Sequence, residues 1–344
     1  MSDTIKTGKR ELLARWLHRT GLVWLASRLH ATHSLLVLTY HRIGDPSATP
    51  FDPGVYSATA DEFHDQMAYL RKTVDIVTVD EALACLDGAP TAGRPRCRAL
   101  VTFDDGCIDN YEVAFPILRS LGIQGLFFLI SGMAGTGAIP WWDRIAYILR
   151  TATRSAFPLT YPAGLAVDTQ SHGFHTSLRL ILQLYKRPDN ADGERFIAEL
   201  RAACGGQEPP ASSRIFLDWD EARAMIAGGM AIGSHTHSHP VLSQLSDEQQ
   251  LQELVGSRRI LAEQLRAPID TIAYPVGARS AFTPKTQELA RQAGYRAAFS
   301  YYGGINLPGR TPRFDVARQN VGGQSPNRFA MQVQVAQLSG RFWP

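Results

Sequence analysis

The sequence of 344 residues lacks several features that would assign it to a special class of protein. No run of eighteen apolar residues occurs, so no membrane-spanning helix is predicted. The formal net charge is only +3, and no basic stripe with interleaved aromatic residues occurs, which argues against nucleic acid as a partner. The four cysteines have no paired spacing, so we expect neither a disulfide framework nor a zinc ribbon. The remaining composition, 44% hydrophobic and 19% charged, is typical of a globular protein.

The N-terminal segment, residues 1–33, also lacks a clear signal peptide. Its basic residues precede a short apolar stretch that Arg28 interrupts, and no small-residue cleavage site follows. We therefore predict a cytoplasmic protein. Apolar residues at helical spacing between residues 8 and 30 predict an amphipathic helix. This helix either packs on the main domain or makes a peripheral contact with an anionic membrane surface.

Strand patterns and helix patterns alternate along most of residues 34–344, which is typical of parallel βαβ units and predicts an α/β fold. Residues 132 to about 212 break this alternation, and we interpret them as a helical insertion over one face rather than a separate domain. The seven predicted strands are 34–40, 75–79, 98–103, 125–130, 230–234, 270–274 and 296–300.

Two adjacent carboxylates, Asp104 and Asp105, stand where a buried strand ends, and Gly106 then allows a sharp turn. Buried carboxylates are costly unless positive charge meets them, and a metal ion is the obvious candidate. The alternative is that they cap the next helix. A second cluster places His235, His237 and His239 within five residues at another strand end, where a surface histidine run is the alternative.

Neutral imidazole is a common metal ligand, so this cluster predicts a metal site. Either His235 and His239 converge on one ion, or His235 and His237 share a strand face. Two histidines and one carboxylate leave open coordination positions, as catalytic sites require. One aspartate would be a ligand, and its neighbour would act as general base on a water that the metal acidifies.

These stretches, Thr102-Phe103-Asp104-Asp105-Gly106 and His235-Thr236-His237-Ser238-His239, resemble two motifs of the polysaccharide deacetylase family, also called the NodB-homology domain or carbohydrate esterase family 4. Ala273-Tyr274-Pro275-Val276-Gly277 resembles its third motif, and Leu38 to Ile43 is similar to the first strand of one bacterial branch. The resemblance covers roughly residues 35 to 325, in the family order.

The resemblance implies a deformed, incomplete (β/α) barrel of about seven strands with its site at the carboxyl ends of the strands. It implies Asp105, His235 and His239 as metal ligands and Asp104 as the base, with His237 outside the ligand set. The reaction implied is hydrolysis of an N-acetyl or, less often, an O-acetyl group on an amino-sugar glycan or its lipid-linked precursor. The backbone N–H of Val276 would stabilise the oxyanion.

Two departures from the family pattern concern the base and the acid. The third motif of many members begins with an arginine that pairs with the base, whereas this chain has Ala273. Arg318 would supply that charge from a later strand, or it is a surface residue. The late Leu-x-His motif, which supplies the acid, is absent because no histidine follows His239. His41 would donate this proton, or it has a structural or substrate-binding role.

Other residues are predicted to shape the substrate groove. Trp141 and Trp142, within the insertion, would stack on sugars, or they pack the insertion onto the barrel. Tyr274 is predicted to contact substrate. His172 and His175 are expected to be surface residues. The ligand types favour Zn²⁺, and Ni²⁺ or Co²⁺ fits the same set. Two alternative functions are a metal-retaining glycan-binding pseudoenzyme and a hydrolase of formyl or cyclic amides.

Overall fold

The computed structural model describes residues 34–88 and 97–339. The predicted N-terminal helix therefore lies outside the described residues. Twelve strands are described: β1 (Leu35–Tyr40), β2 (Arg42–Ile43), β3 (Tyr56–Ala58), β4 (Asp75–Ile76), β5 (Arg98–Phe103), β6 (Gly125–Leu129), β7 (Ala156–Leu159), β8 (Leu165–Asp168), β9 (Ala231–Ser234), β10 (Thr271–Ala273), β11 (Ala297–Phe299) and β12 (Gln319–Asn320).

Eleven α-helices are described, together with a π-helical turn (Asn110–Ala114) and two 3₁₀ turns (Pro53–Val55 and Leu242–Gln244). None of the helices in the described part of the chain is long and apolar enough to span a membrane. The helices are α1 (Ala60–Thr73), α2 (Val79–Leu86), α3 (Phe115–Ser120), α4 (Trp141–Arg150), α5 (Thr169–His172), α6 (Phe174–Tyr185), α7 (Gly193–Cys204), α8 (Trp219–Ala227), α9 (Asp247–Leu265), α10 (Pro284–Gln292) and α11 (Pro326–Ser339).

The described residues divide into two compact units, and the larger comprises residues 34–44, 56–88, 97–136 and 216–339. Its centre is one parallel sheet in the order β11-β10-β9-β6-β5-β1-β12, with β4 also paired to β5. All seven predicted strands are present in this sheet, so the predicted α/β architecture is confirmed. The eighth strand, β12, is too short to have a recognisable pattern in the sequence.

Both faces of this sheet are buried, as in other parallel sheets. Along β1, Leu36, Leu38 and Tyr40 belong to the larger hydrophobic core. Leu35 and Val37 point the other way, into a smaller core that α2 also lines. Because successive side chains alternate between the faces, a strand buried on both sides reads as a continuous apolar run.

The smaller unit comprises residues 45–55 and 137–215. It contains α4 to α7 and the antiparallel pair of β7 and β8, around a core of Ile145, Ile148, Phe157, Ile181, Phe196 and Leu200. The short segment 45–55 joins this unit because the backbone N–H of Asp52 donates to the buried Asp143 carboxylate at 3.0 Å. Phe51 also packs on Tyr147, with ring centroids 6.0 Å apart.

Candidate metal and catalytic site

The ends of several parallel strands bring the predicted site residues to one edge of the sheet. Asp104 follows β5, His235 follows β9, and His41 follows β1. The register pairs Tyr40 with Phe103, so the residues after them, His41 and Asp104, are neighbours. This carboxyl edge is where (β/α) barrels place their active sites.

Asp104 is paired with Arg318 deep in the protein. The guanidinium donates from Nη1 and Nη2 to the two carboxylate oxygens at 2.6 and 2.8 Å, and Arg318 is fully buried. A third donor, Nε, bonds to the Ser300 carbonyl at 2.9 Å and fixes the fork. Burial alone would raise the pKa of Asp104, but the charge and hydrogen bonds of Arg318, together with the nearby His235 and His41, outweigh it, so the pKa lies below its usual range. Of the two predicted locations for Arg318, the structure shows the one against Asp104.

Asp105, His235 and His239 form the cluster that could hold a metal ion. Their ligand atoms lie within 4.8 Å of one another, and the Nε2 atoms of both histidines are 3.6 Å from Oδ1 of Asp105. These separations are too long for hydrogen bonds. They suit ligands of a shared ion, because metal–ligand bonds of about 2.1 Å place tetrahedral ligand atoms about 3.4 Å apart.

The protonation of His235 also fits a ligand role. Its Nδ1 lies 2.8 Å from the Ala273 carbonyl oxygen, which can only accept, so Nδ1 carries the proton and Nε2 keeps its lone pair. Burial lowers the pKa of His235, although the charge of Asp104 opposes this effect. A neutral imidazole with its lone pair facing Asp105 is the form that binds a cation.

Four residues around this cluster adopt a backbone conformation that side chains rarely tolerate. The φ angles are 73° for Asp105, 66° for Thr236, 62° for His239 and 61° for Val276. Among the described residues, only Arg266 is another non-glycine with positive φ. Such conformations cost roughly 1–3 kcal/mol each and persist where surrounding contacts enforce them. Their concentration here indicates that the loops are held in shape for the site.

Gly106 allows the turn after the two carboxylates. Its φ is 77°, and a Cβ at this position would lie 2.5 Å from Cδ2 of Leu129. The left-handed φ of the turn therefore favours a glycine, and the Leu129 side chain leaves little space for a larger residue.

His41 lies at the edge of the same cluster, with Nε2 4.0 Å from Oδ2 of Asp104. Its side chain is 23% exposed, so solvent reaches it. The π-helical turn holds the backbone here, because Asn110 Nδ2 donates to the His41 carbonyl at 2.8 Å. Asp109 accepts from the Ile43 N–H and from Arg42 Nε, both at 2.9 Å. His41 is therefore fixed within reach of the predicted base.

His237 lies outside the ligand cluster, as the resemblance implied. Its Nδ1 is 3.0 Å from the Ser131 hydroxyl, and its carbonyl accepts from the Gly132 N–H at 2.9 Å. Of the two histidine pairs that the spacing allowed, His235 and His239 are the pair that meets Asp105.

The Tyr274 side chain, in the third motif, does not lie in the site. Tyr274 is completely buried, its hydroxyl donates to the Phe314 carbonyl at 3.1 Å, and its ring stacks on Phe282. The structure thus places this side chain in the core rather than at a surface that substrate could contact. Val276 lies in the loop after β10, and its oxyanion role stays a prediction.

The tryptophan pair belongs to the smaller unit. Trp141 stacks on Tyr185 with ring centroids 4.2 Å apart, and Trp142 is buried. These contacts show how the pair packs within its own unit. Sugar stacking by the pair stays a prediction, and packing of the insertion onto the barrel, the alternative to sugar stacking, also stays a prediction. His172 and His175 are exposed, as expected, and none of the four cysteines forms a disulfide.

No motif in the sequence singled out Tyr301, which lies just beyond β11 at the same carboxyl edge. Its ring centroid is 5.6 Å from that of His41 and 5.7 Å from the Arg318 guanidinium carbon. Burial raises the pKa of Tyr301, and the charge of Asp104 adds to this effect. Its position just beyond the end of a parallel strand was the available clue, because His41, Asp104 and His235 also lie at strand ends.

Solved structures with the same fold are known. IcaB from Ammonifex degensii aligns over 88% of this chain and 97% of its own, with a TM-score of 0.57 and 24% identity. The deacetylase PplD of Streptococcus pyogenes, solved with acetate, aligns over 88% of this chain and 98% of its own, with a TM-score of 0.57 and 18% identity. BC0361, a polysaccharide deacetylase from Bacillus cereus, gives a TM-score of 0.54 at 16% identity, over 88% of this chain and 69% of its own. The predicted deformed, incomplete barrel is confirmed.

Sequence comparison points to the same group. YxkH of Bacillus subtilis (strain 168) is 21% identical to this chain over 197 residues, which is 57% of the chain. The match spans only 42% of that relative's length. The polysaccharide deacetylase family model matches residues 92–298, more than half of this chain and the stretch that contains Asp104, Asp105, His235 and His239. The chain therefore belongs to the polysaccharide deacetylase family.

Proposed function

We propose that this protein is a metal-dependent hydrolase that removes N-acetyl groups from an amino-sugar polysaccharide or its precursor. The observation that carries the proposal is that two adjacent carboxylates have different partners. Asp104 is held ionised by Arg318, whereas Asp105 faces the two imidazoles of the candidate metal cluster.

Asp105, His235 and His239 would hold the ion, and zinc is the metal that this donor set favours. When bound, a divalent ion supplies a water whose pKa is lowered to about 7 and a Lewis acid for the acetyl carbonyl. Asp104 is the proton acceptor, because its Oδ2 lies 3.9 Å from Nε2 of His235 and faces the cluster. Arg318 keeps this carboxylate charged and oriented in a buried site.

The remaining steps fall to His41 and Val276. His41 Nε2, 4.0 Å from Oδ2 of Asp104, would give a proton to the departing amine as the C–N bond breaks. The N–H of Val276 would donate to the oxygen that becomes negative during attack. The strained conformation of Val276, with φ of 61°, is the kind of feature that is kept where backbone geometry has a function.

The competing interpretation was a glycan-binding pseudoenzyme, suggested by the missing arginine of the third motif. Arg318, the residue before β12, supplies a guanidinium to Asp104, which removes that reason for expecting lost turnover. The missing late histidine is the reason that remains, and His41 is the residue that would replace it.

The test is acetate release from N-acetylated chito-oligosaccharides, from a lipid-linked N-acetyl amino sugar and from an O-acetylated glycan, with formate release from a formamide as a further arm. We expect acetate from at least one N-acetyl substrate, with the rate reduced about 10²–10⁴-fold in Asp104→Asn. Formate release alone would favour the amide hydrolase. No product from any substrate by a metal-loaded protein would contradict the proposal and favour the pseudoenzyme.

A further inference from the structure

Glu253 lies on α9, far in sequence from the carboxylates, and contacts the histidine loop directly. Its Oε2 accepts from the backbone N–H groups of His237 and Ser238 at 2.7 and 2.9 Å. Its Oε1 accepts from the Ser238 hydroxyl at 2.6 Å. Three donors from two consecutive loop residues therefore converge on one carboxylate, and bonds to an ionised acceptor are about twice as strong as neutral ones.

The residues that Glu253 holds lie between the two histidines of the candidate metal cluster. The loop enters at His235 and returns to the cluster at His239, with left-handed residues at Thr236 and His239. A chain released from its contacts would leave these conformations, because non-glycine residues favour negative φ. The direction of the His239 ring therefore depends on what holds residues 236–238.

Other contacts hold the opposite side of this loop. The Ser131 N–H donates to the Thr236 carbonyl at 3.1 Å, and the Gly132 N–H donates to the His237 carbonyl at 2.9 Å. Inside the loop, the Thr236 hydroxyl accepts from the His239 N–H at 3.1 Å. The carbonyls are thus held by the β6 side, and Glu253 holds the N–H groups from the helix side.

We infer that Glu253 is a positioning residue, which fixes the loop so that His239 reaches the ligand set formed with Asp105 and His235. The inference rests on the proposed metal-binding function. Removing a group that holds metal ligands in place typically lowers metal affinity about 10–100-fold. Glu253 touches none of the three ligand side chains in any contact described above, so its effect would be transmitted through the loop backbone.

The experiment measures Co²⁺ affinity of the metal-free full-length protein from the visible absorption of the bound ion. We expect Glu253→Ala to bind Co²⁺ about 10–100-fold more weakly than wild type. Glu253→Gln should retain most of the affinity, because an amide oxygen can still accept from both N–H groups. Glu263→Ala is the matched control: Glu263 lies on the same helix, is exposed and pairs only with Arg259 among its described contacts, at 3.2 Å.

Thermal unfolding of the metal-free variants separates positioning from general stability. Weaker Co²⁺ binding by folded Glu253→Ala, with Glu263→Ala unchanged, supports the inference; wild-type affinity in Glu253→Ala overturns it. If Glu253→Ala fails to fold, Ser238→Ala serves in its place: it removes only the Oε1 contact and should weaken Co²⁺ binding modestly. Wild-type affinity in Ser238→Ala would then overturn the inference. A wild-type protein that binds no Co²⁺ would instead contradict the proposed metal site, and acetate release tests the activity separately.

Discussion

Asp104 and Asp105 are consecutive and both buried, yet the structure gives them opposite surroundings. Asp104 meets a fixed cation of the protein, Arg318, through two hydrogen bonds. Asp105 faces two imidazoles, and burial lowers the pKa of one of them, His235, so that it stays neutral. A buried carboxylate needs positive charge close by. The protein supplies that charge for Asp104, and we propose that the metal supplies it for Asp105.

The backbone separates the two side chains. Asp104 continues the strand, and its N–H donates to the Tyr40 carbonyl at 3.0 Å. Asp105 adopts φ of 73°, which turns the chain before Gly106. Neighbours that would otherwise repel each other are thereby directed toward different partners, which is how one dipeptide can provide both a base and a ligand.

The largest expected effect is on stability, when the ion pair between Arg318 and Asp104 is broken. Arg318→Met leaves a buried carboxylate without its cation, so the free energy of unfolding should fall by about 3–5 kcal/mol near neutral pH. Urea unfolding of the wild type and the variant measures this change. Arg318→Lys keeps the charge but loses the fork, so it should retain part of the stability.

The pH dependence of that loss has a definite sign. In the wild type, Arg318 holds the pKa of Asp104 below its ordinary value of 3.8, so the pair stabilises the fold above that pH and the stability is lost as pH falls. In Arg318→Met, burial loses its main opposing charge, so the pKa of Asp104 rises. The difference in unfolding free energy should therefore shrink as the pH is lowered. A difference that is constant with pH would contradict the pairing.

A smaller effect is expected at His41, which shares the Asp104 side of the site. If His41 protonates the leaving amine, His41→Gln should slow N-acetyl hydrolysis about 10²-fold or more. It should leave hydrolysis of 4-nitrophenyl acetate nearly unchanged, because nitrophenolate departs without a proton. Equal loss with both substrates would assign His41 a structural or substrate-binding role. His64→Gln is the control, since His64 is an exposed surface histidine.

Much of the fold and part of the site could be predicted from the sequence, because parallel strands buried on both faces appear as long apolar runs. The seven strands followed from those runs, and the strand-end positions of Asp104 and His235 indicated that they would meet. The placement of Arg318 stayed open because the strand that follows it, β12, has only two residues and no periodic pattern. Tyr274 was misplaced because a motif gives its position in the chain, whereas its burial depends on packing against Phe282.

The contacts that shape the loops could not be predicted. Glu253 is one of several acidic residues on a polar helix, and only the fold brings it to Ser238. The association of residues 45–55 with the smaller unit likewise depends on Asp52 and Phe51 meeting partners about ninety residues away. Such long-range contacts leave no local trace in composition or periodicity.

The most direct test of the division between the carboxylates is the metal content of two matched variants, Asp104→Asn and Asp105→Asn, measured by elemental analysis after loading with Zn²⁺ and dialysis. Each variant removes one charge at neighbouring positions and keeps the shape of the side chain. We predict that Asp104→Asn retains one Zn²⁺ per chain, as the wild type does, and that Asp105→Asn retains little or none. Equal retention by the two variants, or loss confined to Asp104→Asn, would contradict the assignment of base and ligand.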